Sequence, residues 1–312
     1  MSEIEAGKVK LIIDTDPGVD DAMAIFYAAA APDIELLGLT SIFGNVTVEM
    51  ATRNALRLVE AAGLEVPVAA GEKAPIELPP YKPSFHVHGD EGFGDIPAAT
   101  PQGKAIEEGA VDFLCRMARE HKGELVLCPI GPLTNIARAI QRDPEFAGNV
   151  KRIVLMGGSY REGGNITPHA EANIYHDPHA AEVVFASGAR VEMVGLDVTH
   201  RILCTADDFV SIAAAAPKLG GMLQDMSHFY LEFYKSVGKL EGCSLHDPAA
   251  VIACTHPHLF TAEEVGIYVS CEGETSGATL KADDDRVPTA VYTAVQSDEV
   301  KSLFLDRLAT LF

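Results

Sequence analysis

The sequence has few basic residues, and it has no hydrophobic run long enough to cross a bilayer. In its 312 residues, Lys and Arg number 24 against 45 Asp and Glu, which gives a formal net charge of −21 at pH 7. A surface of this sign repels a phosphate backbone, so we expect no nucleic-acid partner. The longest apolar run, residues 22–31, ends at Pro32 and falls short of the roughly 18 residues that a membrane span needs, so we expect no membrane partner.

The sequence also lacks cysteine pairs with metal-ligand spacing and an export signal. None of the six cysteines stands in a C-x-x-C pair, which favours reduced, buried thiols over a zinc site or a disulfide framework. Residues 1–10 carry Glu3 and Glu5 and lack the apolar centre of a signal peptide, so the expected location is the cytoplasm.

Short apolar runs rich in β-branched residues alternate with helical patterns along the first two thirds of the chain. The runs predict buried strands at residues 9–13, 34–40, 66–69, 125–128, 153–156 and 191–196. The patterns between them predict helices at residues 20–31, 48–62, 103–121, 133–141 and 178–187. Such alternation is typical of an α/β fold with an open, mainly parallel, Rossmann-like sheet and helices on both faces.

The last third of the chain is more helical. Helices predicted at residues 206–216, 222–237 and 247–253 precede two or three final strands and a helix at residues 298–311. No linker rich in Pro, Gly or Ser and no internal repeat divides the sequence, so residues 1–312 are expected to form a single domain. Residues 71–101 are rich in Pro and Gly and are expected to form a long functional loop.

Four carboxylates lie within residues 14–21, DTDPGVDD, between the first predicted strand and the first predicted helix. One acid would suffice to cap the helix. Two like charges about 4 Å apart repel by roughly 4 kcal/mol at an effective dielectric constant near 20, so four carboxylates require a cation or protonation. A hard, oxygen-liganded cation is the simpler solution, and Ca²⁺ tolerates irregular geometry better than Mg²⁺ does. An EF-hand is excluded because Val19 and Ile25 occupy the positions of its glycine and its bidentate glutamate.

Polar side chains follow most of the other predicted strands, at the sheet edge where ligands bind. A turn or a helix cap would explain Asn45, Asn135 or Asp197 taken alone, and their convergence on one edge favours a binding site. Capping would also explain Asp247, which opens a predicted helix just before a proline. The neighbouring His246 is compatible with a structural role and with a catalytic one.

Several motifs together resemble the inosine-uridine-preferring nucleoside hydrolases, a family of nucleoside N-ribohydrolases. The stretch DTDPGVDDAMA at residues 14–24 corresponds to the family's N-terminal signature and is highly specific. The resemblance covers about residues 8–260. The other motifs, in the family's order, are GN (44–45), HGDEG (88–92), IGPLTNIA (130–137), LMGG (155–158), GNITPHAEANI (164–174), GLDVT (195–199) and HDPAAV (246–251).

The resemblance implies a role for each matching residue. It makes Asp16 the general base, and it implies a homodimer or homotetramer. The ligands of Ca²⁺ would be Asp16, Asp21, Asp247 and a backbone carbonyl, which we assign to Ile130. Contacts with ribose would come from Asp20, Asn45, Met156, Asn165, Glu171, Asn173 and Asp247, with His88 near the ribose and the base.

The implied reaction is Ca²⁺-dependent hydrolysis of the N-glycosidic bond of a ribonucleoside, through an oxocarbenium-like transition state, to ribose and free base. We expect His246 to protonate the leaving base, because a histidine can hold a proton near neutral pH and this one adjoins Asp247. One alternative is a haloacid-dehalogenase-like phosphatase with Asp14 as phosphorylated nucleophile and Mg²⁺, although the usual continuation of its motif is missing. Another is a catalytically silent nucleoside- or ribose-binding protein.

The sequence leaves the preferred base open. Residues 229–243 contain aromatic side chains that could stack on a purine or a pyrimidine, and a helix packing its own apolar face would account for most of them. The candidates are Phe229, Tyr230, Phe233 and Tyr234.

Overall fold

The computed structural model describes residues 7–79, 82–238 and 240–311. Residues 1–6, on which part of the expected location rests, lie outside these ranges. The same holds for residues 80 and 81 of the long loop and for residue 239 of the segment with the candidate stacking aromatics.

The strands of the described residues are short and mostly buried. In chain order they are β1 (Val9–Thr15), β2 (Ile34–Ser41), β3 (Val68–Ala70), β4 (Val126–Pro129), β5 (Arg152–Met156), β6 (Val191–Val194), β7 (Leu203–Cys204), β8 (Cys243–Ser244), β9 (Phe260–Val265), β10 (Ile267–Val269), β11 (Thr279–Lys281) and β12 (Thr289–Val295).

The helices lie between these strands and become more frequent after β6. They are α1 (Val19–Ala30), α2 (Val48–Ala61), α3 (Phe85–His88), α4 (Ala110–Glu120), α5 (Thr134–Arg142), α6 (Phe146–Asn149), α7 (Ala172–His176), α8 (Pro178–Phe185), α9 (Leu196–Thr199), α10 (Ala206–Ala215), α11 (Leu219–Gly238), α12 (His246–Thr255) and α13 (Ser297–Leu308).

Eight of the described strands form the central sheet, in the order β3-β2-β1-β4-β5-β6-β12-β9. Neighbours from β3 to β12 are parallel, and β9 pairs with β12 in antiparallel orientation. The chain adds β2 and β3 on one side of β1 and then returns to place β4 on the other side. Ligands of open α/β sheets bind beyond the carboxyl ends of the strands at such a reversal, so the site is expected after β1 and β4.

The two faces of the sheet carry separate apolar layers. Along β1, Leu11 and Ile13 belong to one layer and Ile12 to the other, as the alternation of side chains in a strand requires. The first layer includes apolar residues of α1, α11, α12 and α13, and the second includes those of α4, α5 and α8. Helices therefore cover both faces of the sheet.

These observations confirm the predicted fold class, a mainly parallel α/β sheet with helices on both faces and a more helical C-terminal part. The helix predicted at residues 103–121 begins only at Ala110, because Ile106 donates its N–H to the carbonyl of Val68 and bridges to Ala69 on the edge strand. The strand predicted at residues 191–196 ends at Val194, and Gly195 begins the short helix α9. In the described ranges, we find no helix with the length and hydrophobicity that crossing a bilayer demands.

Candidate active site

The turn from β1 into α1 brings three carboxylates to the reversal point of the sheet. Asp16 follows β1 directly, and Asp20 and Asp21 lie in the first turn of α1. The carboxylate of Asp21 accepts hydrogen bonds from the Thr15 hydroxyl, from the Gly18 N–H at 2.9 Å and from the Asp16 N–H at 3.2 Å. Asp21 therefore caps α1, and the other acids need a different explanation.

A fourth carboxylate arrives from the opposite end of the chain. Helix α12 packs against α1, and one carboxylate oxygen each of Asp20, Asp21 and Asp247 lies within 4.8 Å of the others, all three residues being buried. The buried Oδ1 atoms of Asp16 and Asp20 have no hydrogen-bond partner in the described part of the chain. Among the same residues no Lys or Arg forms an ion pair with this group, and the ring of His88 lies 3.8 Å from Asp20.

Burial is the largest of the causes that raise the pKa values of these four carboxyls. It raises the pKa of Asp20 and of Asp21 to about 6, and the charge of Asp20 adds to the shift of Asp21. Burial and then the neighbouring acids raise the pKa values of Asp16 and Asp247 well above their usual range. A bound cation would favour the ionised forms again. The unpaired oxygens and the like charges therefore form a group that fits a metal ion.

The loops after β2 and β4 enclose Asp16. Its Oδ2 accepts the backbone N–H of Asn45 at 2.6 Å, and the Asn45 side chain donates to Asp21 at 3.1 Å. A Cβ atom on Gly44 or on Gly131 would lie 1.9 or 2.6 Å from an Asp16 carboxylate oxygen. The close approach of both loops thus requires glycine at these two positions.

The loop between β5 and α7 closes the other side of the site. The side-chain amide of Asn173 donates to the carbonyls of Ile130 (3.0 Å) and Met156 (3.1 Å). Glu171 caps α7 by accepting the N–H groups of Asn173 and Ile174, and it also accepts that of Gly158. Burial raises the pKa of Glu171 to about 7. Asn173 therefore holds two carbonyl oxygens at the ends of β4 and β5 in place.

A cavity of about 670 Å³ opens above these strand ends. It is lined by all the site residues predicted from the sequence except Asp16 and Asp21, which are fully buried and do not line it. The predicted residues in its wall are Asp20, Asn45, His88, Ile130, Met156, Asn165, Glu171, Asn173, His246 and Asp247. The rest of its wall is largely apolar or aromatic and includes His86, His200, Phe233, Val237 and Leu240.

The two predicted histidines are both buried, and burial lowers both pKa values. Nδ1 of His88 accepts the N–H of Val19 at 3.2 Å, the ring stacks on Tyr230 at 5.3 Å, and its pKa falls to about 4. In His246 both ring nitrogens contact hydroxyl groups, and the pKa falls to about 3. Burial thus disfavours the imidazolium form of His246, which weakens the reason given for choosing it as the acid, and its catalytic role stays a prediction.

Helix α11 supplies polar contacts that the sequence analysis missed. The Tyr230 hydroxyl donates to Asp20 at 3.0 Å, and the Tyr234 hydroxyl lies 2.7 Å from Nε2 of His246. The sequence indicated these tyrosines only as stacking candidates, and their spacing of four residues on one helix face was the available signal. Phe233 lines the cavity, whereas Phe229 is absent from its lining and lies against Gly94.

Three other polar residues at strand ends make contacts within the fold and do not line the cavity. The carboxylate of Asp14 accepts from the Thr40 hydroxyl and from the Asn135 amide at 2.7 Å. Asp197 accepts the N–H groups of Tyr160 and Arg161 at 2.7 Å each. For Asn135 and Asp197 the structural role suffices.

Comparisons with known proteins match most of the chain. The family model described as inosine-uridine preferring nucleoside hydrolase matches residues 11–302. Uridine nucleosidase 1 of Arabidopsis thaliana is 43% identical over 87% of this chain and 81% of its own length.

Two solved structures share the fold over nearly the whole chain. A plant nucleoside hydrolase superimposes with a TM-score of 0.93 at 36% identity and covers 96% of this chain and 99% of its own. The purine-preferring ribonucleoside hydrolase of Gardnerella vaginalis gives 0.93 at 38% identity, with 97% and 98% covered. The chain belongs to the inosine-uridine preferring nucleoside hydrolase family of N-ribohydrolases.

Proposed function

We propose that this enzyme hydrolyses the N-glycosidic bond of ribonucleosides to ribose and free base, and that it does so with a bound Ca²⁺ ion. The observation that carries the proposal is the group of buried carboxylates, two of which, Asp20 and Asp247, line a cavity together with amides and carbonyls. A sugar diol and a divalent cation are the ligands that such a set of oxygen atoms suits.

The metal ligands in this proposal are Asp16, Asp21 and Asp247 with the carbonyl of Ile130. Asp20, assigned to ribose from the sequence, lies close enough to Asp21 and Asp247 to contribute as well. Carboxylates and a carbonyl from separate loops suit the flexible coordination of Ca²⁺ better than the strict octahedron of Mg²⁺. When bound, Ca²⁺ would supply a Lewis acid that makes a water more acidic and would help to hold the ribose hydroxyls.

Asp16 is proposed as the general base. Its Oδ2 is held by the Asn45 N–H, and its Oδ1 is free to accept a proton from the attacking water. A base is most effective when its pKa is near the working pH; burial shifts the pKa of Asp16 upward in the metal-free chain, and the bound cation would lower it again. Direct attack by water would invert the configuration at C1′.

The oxygen atoms around the cavity floor favour the transition state over the substrate. Ribose becomes positively charged as the bond to the base breaks, and Asp20, Glu171 and Asp247 carry carboxylates close to it in this arrangement. The amides of Asn45, Asn165 and Asn173 would bind the hydroxyl groups, and the Met156 carbonyl is held by Asn173. Interactions that strengthen with the developing charge raise the rate.

The leaving base is proposed to lie at the aromatic end of the cavity, with His88 beside it. His246 and Tyr234 form a hydrogen-bonded pair there, and burial disfavours an imidazolium ion, so His246 is proposed to act together with the phenol. The phosphatase alternative loses support, because Asp14 is tied to Thr40 and Asn135 and lies away from the cavity.

A reducing-sugar assay across inosine, uridine, cytidine, adenosine and guanosine tests the proposal. We expect ribose release from at least one nucleoside, loss of activity after prolonged chelation, and recovery with Ca²⁺. Binding without hydrolysis over hours would favour the silent binding protein, and phosphate release from a phosphate ester without ribose release would favour the phosphatase. The homodimer or homotetramer, like the cytoplasmic location, stays a prediction, and sedimentation velocity would test the oligomer.

A further inference from the structure

Behind His246, on the side away from the cavity, lies the hydroxyl group of Thr199. Thr199 is the last residue of α9, it is fully buried, and it does not line the cavity. Its Oγ1 lies 2.8 Å from Nδ1 of His246, while Nε2 of the same ring lies 2.7 Å from the Tyr234 hydroxyl. The imidazole is therefore held between two hydroxyl groups.

An imidazole ring with a single N–H group can carry it on either nitrogen, and the contacts of both nitrogens with hydroxyl groups then allow two arrangements. In the first, Thr199 donates to Nδ1, and the Nε2–H of His246 donates to the Tyr234 oxygen. In the second, Nδ1–H donates to Thr199, and the Tyr234 O–H donates to Nε2. The two arrangements differ in whether the hydrogen of Tyr234 is free for the cavity.

The hydroxyl hydrogens decide between them. In the described residues Thr199 Oγ1 has no hydrogen-bond partner besides His246, so the second arrangement leaves a buried O–H without an acceptor. In the first arrangement that hydrogen is satisfied. The hydrogen of Tyr234 is then released from His246. Its remaining acceptor in the described residues is the Tyr230 oxygen at 3.4 Å, which is long for an O–H···O bond, so a base entering the cavity can take its place.

We propose that Thr199 is a positioning residue whose hydroxyl fixes His246 as the Nε2–H tautomer and thereby turns the Tyr234 O–H toward the leaving base. This inference rests on the proposed nucleoside hydrolysis. In the reaction the phenol gives its proton to the departing base, and the phenolate oxygen keeps the hydrogen bond from Nε2–H. Water restores the phenolic proton after the products leave, and the proton taken from the attacking water balances the cycle.

The substitution Thr199→Val tests the proposal, because it keeps the shape of the side chain and removes the hydroxyl. With the best nucleoside of the panel we expect kcat to fall about 10- to 100-fold, within the range of general acid catalysis, while KM changes less than about twofold. With p-nitrophenyl riboside, whose leaving group needs little protonation, the loss should stay below about threefold. Thr199→Ser keeps the hydroxyl and should retain the nucleoside rate.

Two results would overturn the role of Thr199 while leaving nucleoside hydrolysis intact. One is an equal loss on both substrates in Thr199→Val, which would indicate a structural role. The other is an unchanged nucleoside rate. If wild-type enzyme releases ribose from no nucleoside, the proposed function fails and the inference fails with it.

The tautomer of the His246 ring can also be measured directly, without an activity assay. In protein labelled with ¹⁵N-histidine and assigned by loss of one signal in His246→Gln, His246 should show the Nε2–H tautomer in wild type and Thr199→Ser. A Nδ1–H tautomer in wild type would contradict the inference directly. The double variant with Thr199→Val and Tyr234→Phe should lose no more activity than Tyr234→Phe alone, because both changes act on the same proton donor, the Tyr234 hydroxyl.

Discussion

At the scale of single residues, Asp16 combines one carboxylate oxygen held by a backbone N–H with one that has no partner in the described residues. We expect Asp16→Ala to lower kcat at least about 100-fold, because it removes the proposed general base. The exposed Asp225 on α11 offers a matched control, and Asp225→Ala should keep the wild-type rate. Ribose release under saturating substrate measures both, and near-normal turnover in Asp16→Ala would refute the assignment.

The pair of His246 and Tyr234 predicts a dependence on the leaving group. Replacing His246 by Ala should slow hydrolysis of inosine far more than that of p-nitrophenyl riboside, whose leaving group departs without much help from an acid. Tyr234→Phe should show the same selectivity, since the phenol lies 2.7 Å from the imidazole. Steady-state rates on the two substrates check this expectation, and equal losses on both would remove the pair from the acid role.

Sequence analysis reached the site residues in two ways: the acids around Asp16 through a motif that carries its own physical reason, and others, such as Met156 and Glu171, only through the family resemblance. Four acids between a strand and a helix demand a counter-charge wherever the chain folds, so the acids around Asp16 could be singled out without a structure. Tyr234 and Thr199 give no such signal. Tyr234 on α11 and Thr199 on α9 gain their proposed roles from their contacts with His246 on α12. The helical pattern of a sequence does not specify which side chains of other elements a helix will contact.

At the scale of elements, glycines let the loops after β2 and β4 reach the carboxylates. A Cβ atom on Gly131 would lie 2.6 Å from Asp16 Oδ1, whereas one on Gly148 in α6 would meet nothing within 4 Å. We expect Gly131→Ala to displace Asp16 and to raise the Ca²⁺ concentration for half-maximal activity at least about tenfold, as changes beside metal ligands do. Gly148→Ala is the matched control. Titration of chelated enzyme with Ca²⁺ measures the effect, and identical curves for the two variants would contradict it.

The predicted start of α4 differs from the observed one because a tertiary contact overrides the local sequence pattern. Residues 103–109 are predicted as the first turns of a helix, yet the backbone of Ile106 bonds to the edge strand β3. Strand β1 was predictable nearly to its end, because a strand buried on both faces has a continuous apolar sequence. An exposed sheet edge can pair with any segment that lies beside it. The periodicity of that segment does not show whether it will form the pairing.

At the scale of the whole molecule, the order of the sheet explains why the site gathers residues from most of the chain. Strands β1 and β4 are neighbours although about a hundred residues separate them, and α12 returns to lie against α1. The acids that cap α1 and begin α12 therefore meet at one point. The apolar layers on both faces of the sheet hold α1 and α12 in place, and the fold thereby buries a group of like charges.

This arrangement predicts that Ca²⁺ stabilises the protein more at higher pH. The pKa values of Asp20 and Asp21 are about 6 in the folded chain against 3.8 for an ordinary aspartate, so the folded state binds more protons than the unfolded one. Their contribution to the stability of metal-free protein is therefore present below about pH 4 and is lost as the pH rises through about 6. Ca²⁺ binds the ionised carboxylates and offsets that loss.

Differential scanning calorimetry of chelated and Ca²⁺-loaded protein measures this difference, and comparing the two forms at each pH cancels the titration of distant groups. The rise in Tm on adding Ca²⁺ should be small at about pH 5 and several degrees larger at about pH 7.5. In Asp247→Asn the gain should vanish, and the metal-free form should be more stable than wild type near neutral pH, because one buried like charge is gone. An equal gain at both pH values would show that the carboxylates of the site do not bind the ion.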